Sequence, residues 1–222
     1  MLNGIEAVIF DLDGTLVDSM WVWKSIDEDY ISKYNLIPPN DFYEKMEGLS
    51  YTETAQYFLD IFPELPHTVE SLKREWYEMS IEKYKTEISF KEGAKDFLIY
   101  LRNNGIKTGI ATSNDHHLVD EFLNAKNATE FFDTVCTSCE VKRGKPAPDV
   151  YLAAANNLGI APGNCLVFED VPAGIMAGKN AGMRVCAVED RFSHCQLDKK
   201  KALADYYISN YYDIFNHTFE VL

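Results

Sequence analysis

The sequence predicts an α/β fold, a doubly wound parallel sheet with an all-helical insertion behind its first strand. Three observations carry this. An apolar tetrapeptide, Ala7-Val8-Ile9-Phe10, stops at an acidic turn, Asp11-Leu12-Asp13-Gly14-Thr15, and short runs apolar at every residue belong to strands buried on both faces. From about Asp18 to Lys85 there is no strand pattern, and apolar residues keep three-to-four spacing. After about residue 88 strand-like and helix-like segments alternate, the order that builds right-handed βαβ units and covers a parallel sheet on both faces.

Within the helical stretch, Met20, Trp23, Ile26, Tyr30, Ile31 and Tyr34 share a face until Pro38-Pro39 ends it. Ser50-x-x-Glu53 reads as a capping box, with Ala55, Phe58, Leu59 and Phe62 following on one face. A third helix runs through Leu72, Trp76 and Met79. Beyond it, strands are expected at 106–111, 134–136, 166–168, 185–188 and 206–208, and helices at 115–123, 149–158 and 173–181. The expected organisation is a doubly wound α/β core of residues 1–15 and 88–222 carrying a helical domain of residues 16–87.

A chain of 222 residues, 46% hydrophobic and 25% charged, is long enough for a substantial core. Its 35 acids against 21 bases, a net charge of -14, argue against binding to nucleic acid or to anionic membranes, both of which need Lys and Arg. The N-terminal Met-Leu-Asn-Gly-Ile-Glu lacks the basic start and apolar stretch of a signal peptide. No apolar run approaches the roughly 20 residues of a membrane span. Five cysteines, spread from Cys136 to Cys195, make no disulfide framework. A reduced cytoplasmic protein, monomer or weak dimer, is expected.

Ligands of such sheets bind outside the carboxyl ends of the strands, and four strand ends here carry chemistry. After the first, Asp11 and Asp13 point to one side of extended chain. Two buried carboxylates repel unless a proton or cation neutralises them; the plain alternative is a solvated acidic turn. After Ile110-Ala111 stand Thr112, Ser113, Asn114 and Asp115, leading into a helix whose first N–H groups would receive an anion. Ser113 or Asn114 as a simple N-cap is compatible with that. In the third segment Lys142, Arg143 and Lys145 fall within four positions, with Lys145 fixed between Gly144 and Pro146 ahead of a helix. Lys145 suits a point-charge contact to a phosphate oxygen, while Lys142 and Arg143 read as solvated. The fourth strand ends on a second acid pair, Glu169-Asp170. Hard carboxylate oxygens of this kind suit Mg²⁺. Gly174, Gly178 and Gly182, four residues apart, read as packing of the next helix on the sheet.

Together these residues closely resemble the haloacid dehalogenase-like (HAD) hydrolase superfamily. Asp11-x-Asp13-Gly14-Thr15 is similar to its first motif, Thr112 to its second, Lys145 to its third and Glu169-Asp170 to its fourth. The helical insertion resembles the C1 cap of the phosphoglycolate phosphatase and β-phosphoglucomutase branch. The resemblance implies a Rossmann-like core and a Mg²⁺-dependent phosphomonoester hydrolase acting on a small phosphate ester. It implies Asp11 as nucleophile, forming an aspartyl-phosphate, and Asp13 as general acid and then general base. It also implies phosphate binding by Thr112, Ser113, Asn114 and Lys145. The metal would be held by the Asp11 carboxylate, the Asp13 carbonyl and Asp170, with Glu169 acting through a water or from behind.

Specificity is expected in the cap. Where the sugar-phosphate mutases of the branch carry a His and cap-loop Lys and Arg, this chain has Trp23, Glu47 and Tyr51. These changes remove positive charge where a bisphosphate's distal group would sit, which favours a phosphatase over a β-phosphoglucomutase-like mutase. Trp76 is expected in the cap core, and Trp21 and Trp23 either face substrate or pack between helices. A phospho-acceptor signalling module is the non-enzyme alternative, disfavoured by the large insertion and by Asp11 lying on the first strand. Cys136-x-x-Cys139 has no second pair to complete a zinc site, and His116-His117 read as exposed first-turn residues.

Overall fold

The computed structural model describes residues 1–222. Strand β1 (Ala7–Phe10) is followed by four helices, α1 (Met20–Tyr34), α2 (Phe42–Met46), α3 (Tyr51–Ile61) and α4 (Val69–Thr86). Then come α5 (Ala94–Asn103), β2 (Lys107–Thr112), α6 (His116–Ala125), β3 (Thr134–Thr137), α7 (Asp149–Leu158), β4 (Cys165–Glu169), α8 (Pro172–Asn180) and β5 (Arg184–Val188). The chain closes with α9 (Leu197–Leu203), β6 (Tyr206–Ile208), α10 (Tyr212–Asn216) and β7 (Glu220–Val221). One sheet has the order β3-β2-β1-β4-β5-β6-β7. Every pair is parallel except β6 with β7.

The strand order reverses at β1, which pairs with β2 on one side and β4 on the other. Phe10 lies opposite both Ile110 and Phe168, so the three strands end level and Asp11, Thr112 and Glu169 emerge at one rim. That reversal opens the crevice in which sheets of this type bind ligands.

Alternate strand residues point to opposite faces, and the core divides accordingly. Val8, Phe10, Leu166 and Phe168 pack with Phe97 of α5 and Phe122 of α6. Ala7, Ile9, Val167 and Val185 pack with Tyr151 and Ala154 of α7 and Ile175 of α8. Burial of each large side chain contributes roughly 1.5–3 kcal/mol.

In the insertion, the Ser50–Glu53 capping box forms at the start of α3. Phe58 meets Phe42 and Trp76 edge-on, at ring separations of 4.9 and 5.0 Å, so Trp76 lies in the insertion's core. The two segments joining insertion and sheet run side by side: the N–H of Asp18 donates to the Ser89 carbonyl, and that of Lys91 to the Leu16 carbonyl.

The structure adds elements to those expected. α2 is a five-residue helix with no cap bond from a side chain. α5 starts at Gly93 with positive φ rather than at a side-chain cap. α9 is polar in sequence although its Lys200 is buried. β7 is two exposed residues long and makes the sheet mixed at that edge. α2, α9 and β7 lack the apolar period that marks the others, whereas α5 has it, burying Ala94, Phe97, Leu98 and Leu101 on one face, and is missed in the sequence despite that signal.

Candidate active site

Asp11 continues β1, its N–H donating to the Phe168 carbonyl at 3.0 Å, and is 7% exposed. Glu169 is the last residue of β4 and Asp170 the next; both are buried. Their carboxylates converge, with one oxygen from each of Asp11, Glu169 and Asp170 lying within 4.8 Å of the others. Lys145 reaches in from the loop ahead of α7, its Nζ donating at 2.6 Å to Asp11 Oδ1 and at 2.6 Å to Glu169 Oε1. Lys142 and Arg143 stay exposed, Arg143 pairing with Asp149.

Glu169 is fully engaged. Oε1 accepts from Lys145 and from the Tyr151 hydroxyl, and Oε2 from the N–H groups of Asp170 and Val171. This changes the meaning of the glycine stripe. A Cβ at Gly174 would lie 1.7 Å from Glu169 Oε1, whereas one at Gly178 would meet Val185 and Val167 and one at Gly182 would meet nothing. Only Gly178 packs helix on sheet; Gly174 makes room for the carboxylate.

The acidic turn wraps Asp170. Its Oδ1 accepts from the Thr15 hydroxyl at 2.9 Å. Gly14 has φ +78°, and a Cβ there would stand 2.5 Å from Asp170 Oδ2, so both backbone and space require glycine.

Two of the three acids, Asp11 and Glu169, share the buried Lys145, while Asp170 has only the more distant charges of Lys91 and Lys200. Burial pushes the Asp11 carboxyl up to about 7 against the pull of the Lys145 ammonium. Burial, with Glu169 and Asp11 nearby, raises Asp170 well above the carboxylate range. Burial also works against the Lys145 charge, but Asp11 and Glu169 outweigh it and hold the ammonium above its ordinary range.

Asp13 turns away from this trio. Its Oδ1 accepts from Ser19 Oγ at 2.5 Å, from the Tyr84 hydroxyl and, at 3.4 Å, from Trp23 Nε1. Its Oδ2 accepts from Asn114 Nδ2 at 2.8 Å. Asn114 also donates to Tyr84 Oη, and its own oxygen accepts the Asp115 N–H. The Asn114 side chain therefore supports Asp13 and is not presented as a free phosphate ligand. Thr112 Oγ1 accepts the Asn114 N–H at 3.0 Å, leaving the hydroxyl proton to donate. The N-cap of α6 is Asp115, not Ser113 or Asn114: its carboxylate accepts the His117 N–H. Ser113 instead meets the insertion, its carbonyl accepting the Tyr51 N–H at 2.9 Å.

The three cap positions separate. Trp23 faces Asp13 and packs on Tyr51 and Tyr84. Tyr51 is buried, its hydroxyl donating to the Lys73 carbonyl, and so belongs to the insertion's interior rather than to an entrance. Glu47 accepts from the Ala173 N–H and from Gln196 Nε2, tying the insertion to the start of α8. Trp21 points elsewhere, its indole bonded to the Asp18 carbonyl and Lys83 over its ring.

Ser19, Tyr84 and Tyr151 complete the site without a role read for them in the sequence, while Thr15, part of the first motif, and Gly174, read as packing, prove to serve Asp170 and Glu169. Ser19 follows the first motif directly, so its proximity was available as a signal; Tyr84 is 71 residues from Asp13 and had none. Cys136 is buried, Cys139 exposed, and both thiols are free. His117 is exposed, and His116, partly buried, meets Glu140 and Asp120.

Acidic strand ends gathered where a parallel sheet reverses order, with a buried lysine and a helix start beside them, define an α/β enzyme of the kind that handles oxyanions. The model of the haloacid dehalogenase-like hydrolase family matches residues 8–188, and the chain belongs to that family. Hexitol phosphatase A of Escherichia coli is 34% identical to it over 186 residues, 82% of each chain. The probable pseudouridine-5'-phosphatase of Drosophila melanogaster is 32% identical over 203 residues, 86% of this chain and 84% of its own. Among solved structures, the phosphate complex of CbbY from Rhodobacter sphaeroides shares the fold, with a TM-score of 0.82 at 23% identity over 95% of this chain and 96% of its own. The chain is a phosphatase of this family. No helix is long and apolar enough to cross a membrane.

Proposed function

We propose that the chain is a Mg²⁺-dependent phosphomonoester hydrolase that forms an aspartyl-phosphate on Asp11 and acts on a small, otherwise uncharged phosphorylated metabolite. The observation that carries this is the Asp11–Lys145 contact at a buried strand end shared with Glu169 and Asp170. The donor set suits a divalent cation: three buried carboxylates converge, Lys145 bonds only Asp11 and Glu169, and Asp170, left without a bonded cation, holds a proton abnormally well. Asp11, Asp170 and the Asp13 carbonyl would hold the ion. Glu169, with both oxygens engaged, acts from behind by fixing Lys145 and the Asp170 backbone. When bound, Mg²⁺ supplies positive charge that lets an anionic nucleophile approach an anionic ester.

The rest is the work of this chain's residues. A carboxylate oxygen of Asp11 bonds to phosphorus as the bond to the leaving oxygen breaks, and Asp13 delivers a proton to that oxygen. Water then attacks phosphorus, Asp13 takes its proton, and Asp11 is released with inorganic phosphate. Lys145, the Thr112 hydroxyl and the Ser113 backbone would hold the remaining phosphoryl oxygens.

The helical insertion, residues 16–87, would act as the cap that selects the leaving group. Among the side chains bonded to Asp13 there is no Lys or Arg to receive a second phosphate, which favours hydrolysis over a mutase reaction. Relatives named for hexitol and pseudouridine phosphates support a polyhydroxylated leaving group, and Trp23 offers it an aromatic wall.

The test is a screen of purified protein on phosphate monoesters, with a coupled assay for interconversion of β-glucose 1-phosphate and glucose 6-phosphate. Phosphate release that EDTA abolishes and Mg²⁺ restores is expected. Interconversion without phosphate release would establish the mutase, and stable phosphorylation without turnover the signalling module.

A further inference from the structure

The insertion contributes more than a wall to the site. Tyr84, near the end of α4, is fully buried and donates a hydrogen bond from its hydroxyl to Asp13 Oδ1. The Tyr84 hydroxyl oxygen itself accepts from Asn114 Nδ2 at 2.9 Å, and Asn114 also donates to Asp13 Oδ2 at 2.8 Å. Asp13, Tyr84 and Asn114 thus form a closed triangle with one member from the insertion and two from the sheet. The Tyr84 ring is held from the side by Trp23, at 6.0 Å between centroids. Burial and the neighbouring Asp13 carboxylate push its phenol well above the ordinary range, so it remains a donor.

We propose that Tyr84 is a positioning residue for the acid–base step: it orients the Asp13 carboxyl toward the leaving oxygen and couples that orientation to the seating of the insertion. The inference rests on the reading of Asp13 as the proton donor. A carboxyl on a turn has a free rotor, and donors on both oxygens fix its plane. Ser19, the N-cap of α1, and Trp23 also reach Oδ1, but neither bonds Asn114, and Trp23 is the longest contact at 3.4 Å. Only Tyr84 and Asn114 hold Asp13 from separate elements and also hold each other.

The test uses Tyr84→Phe, which removes one oxygen atom and keeps the ring. kcat/KM is measured with phenyl, 4-nitrophenyl and 2,4-dinitrophenyl phosphates, leaving groups that need a proton less and less. kcat/KM reports the first phosphoryl transfer and is unaffected by slow breakdown of the phosphoenzyme. The loss should be about tenfold or more greater for phenyl than for dinitrophenyl phosphate, a fraction of the 10²–10⁴ that acid–base catalysis supplies. Asp13→Asn should show the same steepened dependence, and adding Y84F to it should cost little more, because the two act as one unit. Equal losses across the three esters would mean a merely structural role and overturn the proposal, as would no loss at all. A full additional loss in the D13N background would do the same, and if Y84F lowers the folded fraction the ratio of phenyl to dinitrophenyl kcat/KM on one sample still decides, because the active fraction cancels from it. Asp11→Asn distinguishes the two levels: wild-type turnover there would remove the underlying mechanism, whereas its inactivity with parallel Y84F losses would remove only the role of Tyr84.

Discussion

Lys145 Nζ stands 2.6 Å from Asp11 Oδ1 although 134 residues separate them. The contact is possible because β1 and the loop before α7 meet at the rim where the sheet reverses. It is retained because Lys145 is the only side-chain cation hydrogen-bonded to any of the three converging carboxylates. A buried ion pair contributes little net stability by itself; its value here lies in a pre-set positive charge beside the candidate nucleophile.

Replacing Lys145 by Met should therefore be costly twice. Removing one partner of a buried pair costs about 3–5 kcal/mol, and the substitution also leaves both Asp11 and Glu169 without a bonded ammonium. Urea denaturation should register the first effect. kcat should fall at least about a hundredfold from loss of a transition-state contact.

Gly174→Ala places a methyl inside the Glu169 carboxylate. It should destabilise by about 1–3 kcal/mol, the range for overpacking, and weaken Mg²⁺ binding measured by calorimetry, since Glu169 would shift with its partners. Gly163→Ala, where an added Cβ meets nothing and φ is not positive, is the control and should melt within about a degree of wild type.

Asp27 on α1 lies outside the site and forms no ion pair; burial, reinforced by Glu28, pushes its carboxyl up to about 7. The folded protein therefore binds its proton more tightly than the unfolded chain does. Below about pH 4 both states are protonated and nothing is lost; stability then falls as pH rises toward 7 and stays reduced above it. Asp27→Asn should raise stability at pH 8 by roughly 2 kcal/mol, a part of the 1.36 kcal/mol per pH unit that linkage allows. The gain should vanish near pH 4. Thermal melts at the two pH values check this.

The two neighbouring tryptophans should behave differently. Trp23→Phe loses the donor to Asp13 and the contacts to Tyr51 and Tyr84, so kcat/KM for the best monoester should fall about tenfold, in the range of one hydrogen bond to a charged group. Trp21→Phe, whose indole bonds only the Asp18 carbonyl, should stay within about twofold. Steady-state kinetics on both variants decide it.

The four strand ends were legible because each motif is local: an apolar run, a break, and charged residues at once after it. The same locality hid the rest. Tyr84 reads as one more apolar-face residue of a helix, and only the folded chain brings it to Asp13. Gly174 fits a packing stripe until the side chain opposite proves to be Glu169. Asn114 looked like a phosphate ligand by position, but its amide had a nearer carboxylate to bind. Tyr51 looked like an entrance residue by alignment with a cap loop, yet its hydroxyl is satisfied inside the insertion. Helices α9 and α10 and strand β7 are seven, five and two residues long, too short to give a period to read.

The central claim is that Asp11 becomes covalently phosphorylated, and trapping tests it most directly. Protein turning over a good monoester with Mg²⁺ is quenched in acid, reduced with borohydride and digested. An acyl phosphate at Asp11 would be reduced to the alcohol, so the peptide containing position 11 should lose carboxyl mass there and nowhere else. Full turnover with Asp11 left unreduced, or reduction at a different carboxylate, would contradict the account.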